Sequence, residues 1–246
     1  KHLHAYQLMD RFPRGINTEM IIRDERIGVL PDDIDFLSHI VKMDLEGNNL
    51  TKLSAGIGNL PLLTELDLTN NRLRDLPPSI TSLSKLVKLK ARYNQIEQLP
   101  ILEGLNALVS LDVSHNLLEE IPDSISDLRK LETLDVRNCH LRYLPKTLND
   151  MRNSLTEVYA DFNYIVAMPH RISNMQALRT LSLTQNKLRG LRTGFMEALT
   201  SLETLKYNYN HITAVPQTIG LMYGLKTLDL ACNALEEVPR SLAVLT

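Results

Sequence analysis

Residues 63–83 read LTELDLTNNRLRDLPPSITSL, and this stretch decides the fold. Leu66 and Leu68 stand two apart, so an extended chain turns both to one side while Glu65, Asp67 and Thr69 face the other. Leu63, Leu73 and Leu76 complete an apolar set that a single strand cannot bury. Asn71 stands where the chain leaves the strand, and its amide can donate to and accept from backbone groups that the turn would leave buried. Pro77 fixes φ at the start of a short extended or 3₁₀ segment that returns over Ile80 and Leu83. One such unit is a coil with one short strand. Stacked coils align their strands into a parallel sheet and close a shared apolar core.

The pattern recurs in phase along nearly the whole chain. Full repeats begin at Ile40, Leu63, Leu86, Leu108, Leu131, Leu155, Leu178, Leu202 and Leu225. The turn position holds Asn48, Asn71, Asn94, Asn116, Cys139, Asn163, Asn186, Asn210 and Asn233. A partial repeat over 20–39 carries Met20, Ile22, Ile27, Leu30, Pro31, Ile34 and Leu37, with Glu25 at the turn position. Residues 1–19 lack the pattern; Leu3, Tyr6, Leu8, Met9 and Phe12 predict a short amphipathic helix that ends near Pro13 and caps the stack.

Departures in repeat length are expected on the side away from the strands, because the strands must keep register. The third repeat is short by one residue after Pro100 and the fifth is long by one near Met151–Ser154. The seventh lacks the proline and carries GFMEA at 194–198, which predicts a fuller helical turn. With no low-complexity linker, residues 20–246 are expected to form one continuous repeat domain. The chain is expected to be an excerpt of a longer polypeptide, and more of that chain or a neighbour is expected to cover Leu242 and Leu245 at its C-terminal end.

Composition restricts the function classes. The chain is 43% apolar and 23% charged, with formal net charge −2 and pI about 6.4. That balance lacks the basic footprint of a nucleic-acid binder, and no apolar run reaches spanning length, so no membrane insertion is expected. The two cysteines, Cys139 and Cys232, lie four repeats apart. At about 4.8 Å per strand this is too far for a disulfide, and a reducing, cytoplasmic compartment is expected.

The Leu-Pro-x-x-Ile-x-x-Leu half of the repeat, carried by Leu30-Pro31, Leu76-Pro77, Leu99-Pro100, Ile121-Pro122, Leu144-Pro145, Met168-Pro169, Val215-Pro216 and Val238-Pro239, resembles that of the Ras-group of intracellular leucine-rich repeat proteins. These include the repeat regions of Scribble, Erbin and Ras-pathway scaffolds. The resemblance covers residues 20–246; the first and seventh full repeats depart from the proline pattern. It implies an α/β solenoid, a horseshoe with a parallel concave sheet and short 3₁₀ or extended convex segments, which binds proteins on its concave face.

The strand positions that the framework leaves free supply the candidate site. A protein partner is expected on a surface centred on Lys88, Lys90, Arg92, Tyr93, Arg137, Tyr159, Asp161 and Phe162, with Asp112, Asp135, Lys206 and Tyr209 around it. Cross-strand pairing of Lys90 with Asp67 and Asp112, and of Arg137 with Asp161, is expected in any case. Asp112 stacked on Asp135 calls for a basic partner group. No cofactor or metal site is expected. Asp112, Ser114 and His115 have the residue types of a hydrolase triad, but they share one open strand without an oxyanion loop. Cys139-His140 places its thiol in the core column. The chain therefore reads as a non-catalytic scaffold or adaptor. The alternatives are the targeting or regulatory arm of a larger signalling enzyme (kinase, phosphatase or ubiquitin ligase), a structural subunit of a large assembly, and an extracellular recognition protein, for which Asn49-Leu50-Thr51 would be a glycosylation sequon.

Overall fold

Each coil contributes a strand of only three residues, and the alternation of its side chains sets which face is buried. A computed structural model describes residues 5–13, 15, 17–169, 172, 175–191 and 199–245. The chain forms two compact units, Lys1–Leu118 with Asp127–Leu131, and Glu119–Ser126 with Glu132–Thr246. Among the described residues the first unit carries β1 (Glu19–Ile21), β2 (Lys42–Asp44), β3 (Glu65–Asp67), β4 (Lys88–Lys90) and β5 (Ser110–Asp112). The second carries β6 (Thr133–Asp135), β7 (Glu157–Tyr159), β8 (Thr180–Ser182), β9 (Thr204–Lys206) and β10 (Thr227–Asp229). Within each unit the strands run parallel in sequence order. This is the architecture of a leucine-rich repeat solenoid.

Register repeats from coil to coil: Leu66 opposes Leu89, and Leu89 opposes Leu111. Leu63, Leu66, Leu68, Leu73, Leu76, Ile80 and Leu83 are all buried, as the apolar spacing of 63–83 requires. The partial repeat also provides a strand, with Met20 opposite Met43. Before it, Ala5–Arg11 form the helix α1, with Leu8 and Phe12 buried. Arg11 holds Glu25 through two hydrogen bonds of 2.6 and 2.8 Å. The carboxylate at that degenerate turn position therefore anchors the helix.

The asparagines join successive coils. Asn71 Nδ2 donates to Leu68 O and Thr69 O of its own coil at 3.0 and 3.2 Å, and to Leu45 O of the preceding coil at 2.9 Å. Its Oδ1 accepts from Leu50 N at 3.0 Å. Asn48, Asn94, Asn163, Asn186 and Asn210 repeat the arrangement. A buried carbonyl or amide without a partner costs about 1–3 kcal/mol, so one side chain that serves four such groups is hard to replace.

The prolines start the return segments. Pro77, Pro145, Pro216 and Pro239 have φ between −68 and −61°. The Pro77 carbonyl accepts from Ile80 N at 3.0 Å, which opens the 3₁₀ turn Pro78–Ser82. Length changes fall away from the strands: the short third repeat crosses 101–107 without a 3₁₀ segment, and the long fifth extends its own to six residues, Lys146–Met151. The helical turn expected over 194–198 lies outside the described residues. Thr69 differs from expectation. It is buried, and its amide donates to the Asp67 carboxylate at 3.0 Å.

Asn71→Ala is expected to lower unfolding free energy by about 2–4 kcal/mol, from several stranded backbone groups. Asn70→Ala, one residue earlier and exposed, is expected to cost clearly less. Urea titrations of the two variants measure the difference.

Candidate functional site

The outward-facing strand residues begin with a set of aspartates. Asp44, Asp67, Asp112, Asp135 and Asp229 each accept a hydrogen bond from the backbone amide two residues on, at 3.0–3.1 Å. This is the Asx turn, in which a short carboxylate substitutes for a backbone acceptor and ends the strand. Three residues after each aspartate the backbone is left-handed: Gly47, Asn70, His115, Asn138 and Cys232 have φ of 50–72°. Tyr93, Phe162, Gln185 and Tyr209, in repeats that lack the aspartate, reach the same conformation. The left-handed residue is therefore imposed by the coil.

This geometry reassigns several expected site residues. Asp112 is committed to its own turn, accepting from Ser114 N at 3.0 Å and from Ser114 Oγ at 2.6 Å. Asp135 is only 6% exposed and is gripped by Arg137, whose Nε lies 2.9 and 3.0 Å from its two oxygens. Asp135 is paired inside its own repeat, whereas both bonds to Asp112 fall on Oδ1 and no cation pairs with it among the described residues, so of the two acids Asp112 is the one left for a basic partner group. Asp161 is 7% exposed and accepts from Ser182 Oγ at 2.5 Å and Thr184 N at 2.7 Å. It is an internal tie, and Arg137 pairs along its own strand instead of across to Asp161.

The remaining candidates form a patch in each unit. In the first, Lys88, Lys90 and Arg92 are exposed along one coil. Lys90 Nζ lies 3.2 Å from Asp67, and the Arg92 guanidinium lies 5.1 Å above the Tyr93 ring. Tyr93 stacks on His115 with centroids 4.1 Å apart. In the second, Arg137 lies 5.4 Å over Tyr159, whose hydroxyl donates to Glu157 at 3.1 Å. Burial, followed by the negative charge of Glu157, raises the Tyr159 phenol above its ordinary value. Phe162 and Tyr209 are about half exposed in the left-handed column, and Lys206 is exposed beside Asp229 in register. The sequence reading placed these aromatics on the surface without recognising the positive φ. The aligned residue before each turn asparagine was the available signal.

Several charges on the first strands of the first unit pair with one another. A depression of about 220 Å³ there has Arg23, Lys42, Asp44, Glu65 and Lys90 in its wall. Lys42 Nζ lies 3.6 Å from both Glu19 and Glu65. Asp44, Glu46 and Asp67 could bring oxygens within 4.8 Å of one another. Arg23 bonds Asp44 directly and stands 3.7 Å from Glu46, and Lys90 lies 3.2 Å from Asp67, so the two cations offset part of the charge of the three acids. Burial works to raise the Asp44 carboxyl. Hydrogen bonds from Arg23 and Glu46 N and the nearby charges of Arg23 and Lys90 outweigh it, and the group sits below its ordinary value.

Two of the possible nucleophiles, Ser114 and Cys139, are buried. Ser114 donates to Asp112, while His115 stacks on Tyr93. Cys139 is buried with its thiol 3.7 Å from Arg137 O, and His140 faces Tyr164 at 5.9 Å. Outside the strand face, Tyr143, Tyr164 and Val166 are exposed on the turn beyond the asparagines, a cluster that the sequence reading passed over. Most equivalents of Tyr164 in other repeats are polar, Asn49, Arg72, Gln95, His140, Lys187 and His211, against the apolar Leu117 and Ala234, and an aromatic residue in that column was the signal. Among the described residues no helix is long and apolar enough to cross a membrane.

The leucine-rich repeat family profile matches residues 38–96 and 101–141, so these segments are leucine-rich repeats by sequence as well as by fold. Comparison with curated proteins returns no match. A leucine-rich repeat protein of Leptospira interrogans is similar over 93% of this chain and 68% of its own, at 25% identity and TM-score 0.72. The Drosophila Toll–Spatzle complex aligns over 91% of this chain and 32% of that one, at 25% identity and TM-score 0.81. A plant peptide hormone receptor, RGFR1 in complex with RGF2, aligns over 93% and 46%, at 23% identity and TM-score 0.64. The chain thus spans less than half of the last two.

A carboxyl held below its ordinary value contributes stability that is present above the unfolded-state pKa of about 3.9 and is lost as pH falls through the lower folded value. Asp44→Asn keeps a turn-forming side chain but discards the charge. The variant is expected to be less stable than the parent at pH 7 and equal to it near pH 2, as measured by denaturation at each pH. Among the two thiols, exposed Cys232 is expected to react rapidly with a maleimide in the folded chain, and buried Cys139 only after unfolding; mass spectrometry counts the labels.

Proposed function

We propose that this chain, which has the leucine-rich repeat fold, is a non-catalytic protein-binding module of an intracellular scaffold or adaptor of the Ras-group type. Its recognition surface is the strand face together with the left-handed column beside it. One observation carries the reading: Tyr93, Phe162 and Tyr209 combine positive φ with about half exposure. A left-handed L-residue costs about 1–2 kcal/mol, and asparagine or glycine bears that conformation more easily, as at Asn70, Asn138 and Gly47. Half-exposed aromatic rings at these positions therefore work against stability, offset in part at Tyr93 by its stacking on His115 and the Arg92 guanidinium. Local choices that oppose the fold are expected where function demands them, and exposed aromatics flanked by arginine are what protein interfaces use.

The neighbours support a protein or peptide partner. The Toll structure holds Spatzle and the RGFR1 structure holds RGF2. A sheet held rigid by its stacked coils loses little conformational freedom on binding, which favours affinity. Arg92 beside Tyr93 and Arg137 beside Tyr159 give each unit an aromatic–guanidinium pair on the strand face. An intracellular setting agrees with the exposed thiol of Cys232; intact, unglycosylated protein in cytosolic extract is the expected finding.

Tyr93→Asn and Phe162→Asn are expected to hold or raise the thermal midpoint while weakening the native partner, recovered by proximity labelling in the cell of origin, by about tenfold or more (about 1.4 kcal/mol). Unchanged affinity in both variants would remove the strand-face column as the site.

A further inference from the structure

The second unit carries an exposed aromatic cluster that the strand face does not include. Tyr143, Tyr164 and Val166 are 61%, 45% and 40% exposed. With Arg142 and Lys187 they line a depression of about 420 Å³ on the turn that follows the asparagine column. A depression of this size accommodates a few side chains of a ligand. Lys187 Nζ lies 4.8 Å from the centroid of the Tyr164 ring. The ammonium is thereby held against an aromatic face at the rim instead of trailing into solvent.

The charges at this depression are of one sign and, like Lys88 and Arg92 on the strand face, are not drawn into ion pairs among the described residues. Lys90, Arg137, Arg179 and Lys226 each have a carboxylate within 4 Å. Arg142 and Lys187 have none among the described residues, and no acidic residue lines the depression. Two unneutralised cations thus flank three apolar side chains on a chain whose net charge is −2. We propose that this flank is a second recognition site, which takes a short acidic peptide segment of another protein. An aromatic or aliphatic side chain of that segment fills the depression between Tyr143, Tyr164 and Val166, and Asp or Glu on either side meets Arg142 and Lys187.

Complementarity of charge and shape selects this occupant. Carboxylates give Arg142 the bidentate acceptor its planar fork matches, and the apolar walls give the anchor a place to leave water. A nucleic-acid strand would also stack on tyrosine, but it requires a basic track along its backbone. Two cations around an apolar hollow do not provide one. The site is independent of the strand-face reading, since it uses different residues on a different side of the coil.

The test is fluorescence anisotropy of the intact chain with labelled decapeptides that carry a central Phe, Leu or Pro. One set has the anchor flanked by Asp and Glu, a matched set has it flanked by Lys, and a dT12 oligonucleotide serves as a third probe. The acid-flanked set is expected to bind about tenfold or more tighter than the Lys-flanked set. Tyr164→Ala is expected to abolish that binding. The double variant Arg142→Glu with Lys187→Glu is expected to invert the preference. Tyr209→Asn, on the strand face, is expected to leave it unchanged, which separates failure here from failure of the strand-face site. All of these side chains are exposed, so circular dichroism melts matching the parent should confirm that the variants fold. No binding by the acid-flanked set, equal binding of the two sets, tighter binding of dT12, or a double variant that keeps the parent preference would each overturn the proposal.

Discussion

The structure depends on the pairing of backbone groups that a coil cannot pair for itself. A three-residue strand bonds to its neighbours, but the chain must then turn sharply inward, and the amides and carbonyls of that turn face an apolar interior. The asparagine amide reaches them because it carries two donors and an acceptor on a short stem. Asn71 links Leu45 and Leu50 of one coil to Leu68 and Thr69 of the next. Each asparagine thus fixes the spacing of two coils at once, and the leucine core is closed by the same contacts that satisfy the backbone.

Once that demand is met, fewer residues remain available for binding than the strand pattern implies. Five aspartates on the outer strand position end their strands by accepting an amide. Arg23, Lys42, Lys90 and Arg137 are drawn into ion pairs with them or with neighbouring glutamates. Such exposed pairs add little stability, but they consume charge that a partner would otherwise read. What stays outside these pairs is a set of aromatics, Tyr93, Phe162 and Tyr209 in the left-handed column and Tyr143 with Tyr164 on the flank, with cations such as Lys88, Arg92, Arg142 and Lys187 near them. Recognition is therefore assigned to side chains that the framework tolerates at a cost, and charge acts beside them.

Much of the architecture was legible in the sequence. The period, the parallel strands, the asparagine turns, the proline starts and the placement of length changes away from the strands all follow from apolar spacing and turn chemistry. Each is a local requirement repeated many times, so a chance match at one repeat is corrected by the others. Leu66 and Leu68 had to face inward together because the strand period is two residues.

The candidate site was legible only in outline, because hydrogen-bond partners belong to the folded chain. The sequence by itself determined which columns face the core, which face outward, and that Tyr93, Tyr159, Phe162 and Tyr209 lie among the outward ones. Only the tertiary structure decided that Asp112 and Asp135 turn the chain, that Asp161 is buried against Ser182, and that Arg137 closes on Asp135. It also decided that residues separated by one or two repeats, Arg142, Tyr164 and Lys187, share one hollow. The physical reason is that periodicity specifies the direction of a side chain, whereas its partner is set by the distance between coils, which exists only after the asparagines have drawn them together.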